Sequence, residues 1–225
     1  MATAVADVYQ KMDVMYRYQR YFYDATRKFY LLGRDRLIDM LEIADGENIA
    51  ELCCGTGRNL EILARRHPDA NFYGLDASSE MLSVAHARVQ RTGLRNVKLV
   101  TALANDFDHL TTFGVAAQFD HIFFSYAITM IPPWRESIAH ALANLKPGGS
   151  LYIVDFYDQA GLPSLFRSAL TRWLGMFHVR HWPGLIPHLQ KIGETGAASV
   201  EIIPLARRYA FIAKLTKTGG DLLSI

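Results

Sequence analysis

The sequence predicts an α/β fold: a doubly wound, mostly parallel, seven-stranded sheet of the Rossmann-like kind. Three observations carry this. Short apolar runs of strand length alternate with amphipathic segments between residues 47 and 156. The runs are apolar almost end to end, as strands are when helices cover both faces of a parallel sheet. The last two runs have no helical segment between them, which places a hairpin at one edge.

The elements follow in order. Residues from about 6 to 30 have helical spacing with aromatics throughout, and 34–42 read as a second, short helix. NIAELCC is the first strand, and GRNLEILARRH is a helix with Leu60, Leu63 and Ala64 on one face. NFYGLD is a strand. SEMLSVAHARVQRTG is a helix with Ser78 as N-cap and Gly93 as its stop. NVKLVTA and FDHIFFSYA are strands. PPWRESIAHALANLKPGG reads as a helix opened by proline and closed by Pro-Gly-Gly. SLYIVDF is the fifth strand, after which an apolar segment bearing arginine and tryptophan breaks the pattern. LIPHLQKIG is a helix, and SVEIIPL and RRYAFIAKLTK close the sheet. The expected organisation is one domain: a helical cap over 1–45, a core over 46–156, an insertion over 157–183 and closing elements over 184–225.

Composition narrows the function classes. The 225 residues are 50% hydrophobic, which suits a globular chain. No apolar run approaches the ~20 residues that span a bilayer, and the first 22 residues carry charges throughout, unlike a secretion signal. A net charge of +2 is too mild to imply nucleic acid. Two adjacent cysteines make no disulfide framework and read as small packing residues. His178 and His181 lack an evident third ligand, so no metal is expected. The expected location is cytoplasmic.

Gly55-Thr56-Gly57 sits where the first strand becomes the first helix, and Asp76 ends the second strand about 20 residues on. In a doubly wound sheet, ligands bind at that end of the strands, and an acid there accepts both hydroxyls of a ribose. NAD would use the same pair. The dinucleotide fingerprint needs a third glycine where Leu60 stands, however, and Glu51 would repel a pyrophosphate while pairing with an ammonium. A nucleoside with a cationic amino-acid tail, S-adenosylmethionine, fits better.

Five stretches in order resemble the class I S-adenosylmethionine-dependent methyltransferases. Glu51-Leu52-Cys53-Cys54-Gly55-Thr56-Gly57 resembles their first motif, with Cys53 in place of its first glycine. Asp76-Ala77-Ser78-Ser79-Glu80-Met81 resembles the second, where the acid takes the ribose and Met81 lies near the adenine. Leu103-Ala104 falls where the family holds the adenine edge; Leu103 lacks the usual acid, and Asn105 and Asp106 stand nearby. Phe119-Asp120 through Ser125-Tyr126 resembles the lip of the active site, and Leu145-Lys146-Pro147-Gly148-Gly149 the turn before the fifth strand. The resemblance implies cofactor contacts at Glu51, Cys53, Gly55, Gly57, Asp76, Ala77, Met81, Leu103, Ala104 and Ser125.

Methyl transfer needs an aligned acceptor and no metal or triad. At helical spacing Tyr16, Arg20, Tyr23, Arg27 and Tyr30 share a face. Its rings suit a methylated ammonium and its guanidinium groups a carboxylate or phosphate. Tyr16, Arg20, Arg27 and Tyr30 are therefore candidate substrate residues, and Tyr23 and Tyr126 candidate catalytic ones. The insertion, with Leu162, Leu165, Phe166, Leu170, Trp173, Leu174, Phe177 and Trp182 among arginines, suits a bilayer interface or a lid or dimer contact packed on its own domain.

The stretches YRYQRYFYDATRKFYLLGRDRL, FSYAITMIPPW and DFYDQAGLP resemble the N-methyltransferases of betaine-lipid synthesis. That resemblance implies three methylations of diacylglyceryl-homoserine, presented by the inner face of a membrane to a peripheral enzyme. Phosphatidylethanolamine is an alternative acceptor. A soluble small molecule or quinone precursor is another, since Tyr23-Asp24 with Gly33-Arg34-Asp35-Arg36-Leu37 is similar to the pattern of such enzymes. A cofactor-binding module without chemistry is the reading from a different class. Self-association stays open.

Overall fold

The computed structural model describes residues 30–175, 179 and 182–218. The cap residues Tyr16, Arg20, Tyr23 and Arg27, and Phe177, His178, Arg180 and His181 of the insertion, lie outside the described residues.

The described elements are α1 (Arg34–Met40), β1 (Asn48–Leu52), α2 (Arg58–Arg66), β2 (Asn71–Asp76), α3 (Ser79–Thr92), β3 (Val97–Thr101), β4 (Phe119–Ser125), a 3-10 turn (Ile128–Met130), α4 (Trp134–Ala143), β5 (Leu145–Phe156), α5 (Ser164–Gly175), α6 (Leu185–Glu194), β6 (Ala198–Leu205) and β7 (Ala210–Lys217). They form one seven-stranded sheet in the order β3-β2-β1-β4-β5-β7-β6. β7 runs antiparallel to both β5 and β6, while the other pairings are parallel.

β1 is the centre of the sheet. Ile49 pairs with Phe72 on one side and His121 on the other. Successive side chains of a strand point to opposite faces, and the core divides accordingly. Ala50, Ile122, Phe124, Leu151 and Ile153 face one layer, with Trp134, Ile138 and Leu142 of α4 and Leu189 of α6. Ile49, Phe123, Tyr152 and Val154 face the other, with Leu37 and Ile38 of α1 and Leu60 and Leu63 of α2. Covering both faces makes these strands read as unbroken apolar runs. Strand order reverses beside β1, so the crevice above its C-terminal end is the place for a ligand.

Three expectations need correction. The fourth helix ends at Ala143, and Lys146-Pro147-Gly148-Gly149 belongs to β5. Pairing starts at Phe119 with Leu145 and resumes at His121 with Ser150, so the Pro-Gly-Gly run forms a bulge. The broken pattern after β5 contains a helix, α5. Its apolar side is turned inward: Leu174 is buried, and Leu170 and Trp173 are half-buried against the core layer of α1 and α2. Among the described side chains of α5, Leu165, 87% exposed, is the large apolar one left in solvent. The proposed bilayer-facing role therefore loses Leu170, Trp173 and Leu174. No helix among the described residues is long and apolar enough to cross a membrane.

Gly149 makes the bulge possible. A Cβ there would lie 2.8 Å from the Asp120 carbonyl oxygen and 3.0 Å from that of Lys146, neither of which can swing aside. Gly149→Ala is expected to cost about 1–3 kcal/mol, the usual range for overpacking, read as a lower urea midpoint at unchanged m-value.

Candidate functional site

The crevice at the end of β1 is a cleft with about 720 Å³ of empty space. Glu51, Cys53, Cys54, Gly55 and Thr56 come from β1 and its turn, Arg58 and Asn59 from α2, and Asp76, Ala77 and Met81 from β2 and α3. Ser125, Tyr126, Ala127, Met130 and Ile131 close it from β4 and the 3-10 turn, and Arg34 from α1.

Asp76 fixes the shape of the turn. One carboxylate oxygen accepts the Gly55 N–H at 2.8 Å and the other the Ser78 N–H at 2.9 Å. Ser78 Oγ in turn accepts the Met81 N–H, the side-chain cap of α3. Gly57 does not line the cleft. It precedes α2 at φ 71°, and a Cβ there would meet the Ala85 Cβ at 3.1 Å. Its role is to let α2 start in a left-handed residue close to α3.

Glu51 is buried, and its Oε1 accepts Asn59 Nδ2 at 2.7 Å. Its Oε2 is buried with no hydrogen-bond partner among the described residues. Burial pushes its pKa up to about 8, and the nearby Asp76 charge adds to that. The Asn59 hydrogen bond and the charges of Arg34 and Arg58 pull the other way. Arg34 and Arg58 each donate to Asn59 Oδ1 at 3.3 Å, so a relay of cation, amide and carboxylate runs along one wall. Ser125 Oγ, on the opposite wall, is likewise buried and unpartnered among the described residues. Two unpartnered polar atoms facing one cleft, a carboxyl oxygen and a hydroxyl, mark a place for hydrogen-bond partners that a ligand brings.

The cysteines are poor nucleophiles, since burial and then the Asp76 and Glu51 charges hold both thiols well above their usual range. Cys53 has φ 59°, the left-handed conformation that the glycine usual at this motif position adopts freely. Among the described residues no group of three or more His, Cys, Asp or Glu side chains could hold a metal ion.

The remaining expected residues fall elsewhere. Leu103 and Ala104 are not in the cleft lining; Leu103 bridges to Asp106 in a tight turn, and Ala104 is buried in the core. Tyr126 lines the cleft, but its hydroxyl donates to the Leu32 carbonyl at 2.6 Å, and burial raises its pKa well above the usual value. It is a wall that ties the cap to the lip, not a proton acceptor. Tyr30 lines neither large cavity. Its carbonyl accepts the Tyr209 hydroxyl at 2.9 Å, and its ring stands edge-on to Trp173 with centroids 4.8 Å apart. Sequence reasoning missed Arg34, Arg58 and Asn59 as members of the site. The signal available was a polar Asn among the apolar residues of the buried face of α2.

Known proteins resemble this chain in the same region. Residues 49–149 match the family described as a methyltransferase domain. The demethylmenaquinone methyltransferase of Listeria welshimeri is 26% identical over 129 residues, 57% of this chain and 52% of that one. The protein of the same name from Geobacillus kaustophilus is 25% identical over 196 residues, 78% of this chain and 81% of its own. The chain thus spans about half the length of the Listeria relative it matches.

Among solved structures, a chain of the complex between the Haloferax volcanii Trm112 methyltransferase activator and its methyltransferase superposes with a TM-score of 0.73 at 14% identity, covering 93% of this chain and 98% of that one. Phosphoethanolamine N-methyltransferase 2 of Haemonchus contortus, solved with S-adenosyl-L-methionine, gives 0.63 at 14% identity, covering 82% of this chain and 53% of that one. Sheet order, cleft and sequence match coincide on one stretch: residues 49–149 are similar to a methyltransferase domain, and the fold is shared with the solved structures above.

Proposed function

We propose that this chain is an S-adenosylmethionine-dependent methyltransferase, and that the observation carrying the reading is the orphaned, buried Oε2 of Glu51 in the cleft that Asp76 shapes. The cofactor's amino-acid tail ends in an ammonium, which Glu51 accepts, while Asp76 receives the ribose hydroxyls and Ala77 and Met81 border the adenine. The cofactor supplies an electrophilic methyl group on a sulfonium. The protein's part is to aim it past Ser125 and Tyr126 toward an acceptor and to keep water out of the line of displacement.

Two acceptor classes have separate support. The names of the relatives favour a quinone precursor. The sequence YRYQRYFYDATRKFYLLGRDRL favours a lipid head-group amine, diacylglyceryl-homoserine first. Labelled cofactor, full-length protein and vesicles carrying demethylmenaquinone, diacylglyceryl-homoserine or phosphatidylethanolamine in turn decide between them. The acceptor that takes up label names the class, and no transfer to any of the three argues against both.

Asp76→Ala removes the ribose acceptor and the tie to Gly55 together. Cofactor affinity is expected to fall by at least about 1.5–3 kcal/mol, the range for a charge-assisted hydrogen bond. Calorimetry reads this directly, and unchanged affinity removes Asp76 from the site.

Glu51 makes a pH signature. Its pKa is raised from 4.5 to about 8 on folding, so its charged form is disfavoured in the unliganded protein. That stability is whole below about pH 4.5 and is lost as pH rises through about 8. Glu51→Gln is therefore expected to match the parent near pH 4.5 and to exceed it in stability at pH 9. The gain is on the order of a few kcal/mol, each pKa unit being about 1.4 kcal/mol. The same variant should bind cofactor more weakly at pH 7. Urea titrations at the two pH values test the first expectation and calorimetry the second.

A further inference from the structure

A second cavity, of about 520 Å³ and open to solvent, lies behind the wall of the cleft. Phe156 lines it and stands edge-on to Tyr126 of the cleft, with ring centroids 4.8 Å apart. Thr129 faces it from the 3-10 turn whose Met130 lines the cleft. The two spaces are thus neighbours across one layer of side chains.

Their chemistry differs. α5 presents Arg167, Ser168, Thr171 and Arg172 to the second cavity. Neither arginine has an acidic partner among the described residues. Asp158, also in the lining, is already held in an ion pair by Arg208, whose guanidinium lies over the Tyr157 ring. The cavity's available charge is therefore positive.

Gln159 adds an independent observation. It is only 7% exposed, and its Oε1 accepts the Thr171 hydroxyl at 3.3 Å, while its Nε2 has no partner among the described residues. That amide nitrogen is available to donate to a ligand. Its backbone is also held in the left-handed region, φ 57°, by its N–H to the Arg208 carbonyl and its own carbonyl to the Leu162 N–H. Such strain in a non-glycine residue persists where the surroundings impose it, and it gathers at ligand sites.

We propose that this cavity is an anion subsite, binding a carboxylate or phosphate carried by the methyl acceptor. Arg167 and Arg172 supply the charge and Gln159 Nε2 a neutral donor. The proposal rests on the methyltransferase reading and extends it by giving the acceptor a second, charged point of attachment beside the cofactor cleft. A quinone ring brings no such charge, whereas an amino-acid or phosphate head group does.

The test uses the full chain with two probes: inorganic phosphate followed by calorimetry, and phosphatidylcholine vesicles with about one-fifth phosphatidic acid followed by sedimentation. The wild type is expected to bind at least one probe. R167Q/R172Q and Gln159→Glu are expected to weaken that binding at least about tenfold, with S-adenosylmethionine affinity unchanged and far-UV circular dichroism like the parent's. Preference for vesicles makes the anion a lipid head group, and preference for free phosphate makes it a small molecule; both support the subsite. Binding of neither probe by the wild type, or wild-type binding by both variants, overturns it. Anion binding intact in a chain that does not bind the cofactor would strike the methyltransferase reading and leave the subsite standing.

Discussion

The site depends on where the Asp76 carboxylate sits. It ends β2 next to β1, and its two oxygens hold the Gly55 N–H of one loop and the Ser78 N–H of the next. A charged acceptor gathering two backbone donors fixes both loops relative to the sheet more firmly than neutral hydrogen bonds would. The rest follows from that anchor. The turn residues Cys53 to Gly55 are drawn over the end of β1, α2 starts immediately after them, and Asn59 is carried on its first turn to within 2.7 Å of Glu51. Arg88 braces the turn from outside, donating to the Thr56 carbonyl and pairing with Glu61.

The fold was legible in the sequence because burial on both faces leaves a plain signature. A strand such as FDHIFFS has to be apolar toward α4 on one side and α2 on the other. The alternation of such runs with helices fixes a parallel core, and adjacent final strands fix the hairpin. The glycine turn and Asp76 were legible for the same reason: a local chain conformation demands them.

What stayed hidden depends on distant pairings. Arg34 reaches Asn59 across 25 positions, and the Tyr126 hydroxyl finds Leu32 across 94. Periodicity has no information about such partners, so Tyr126 looked like a free phenol at the lip and Tyr30 like a free ring on the cap. The bulge in β5 was misread because Pro-Gly-Gly usually stops a helix. Here it begins a strand, and only the pairing of Leu145 with Phe119 reveals that. The segment after β5 defeated periodicity differently. α5 turns Leu170, Trp173 and Leu174 inward, so apolar residues facing the core resembled a surface facing a membrane.

Glu51 and Asp155 show how differently this fold treats two buried carboxyls. They stand on the same sheet, at β1 and β5 with β4 between them, and each is buried. Burial raises both carboxyls, Glu51 to about 8 and Asp155 to about 6. The lower value goes with better satisfaction. Asp155 accepts the Thr129 hydroxyl, the Thr129 N–H and the Phe156 N–H, all of which favour its charged form. Asp155 is thereby a structural clamp that fixes the 3-10 turn between the two cavities. Glu51 has the Asn59 amide and distant arginines, and one oxygen goes without. The fold satisfies one buried carboxyl with three donors and leaves the other, in the cleft, with a single one.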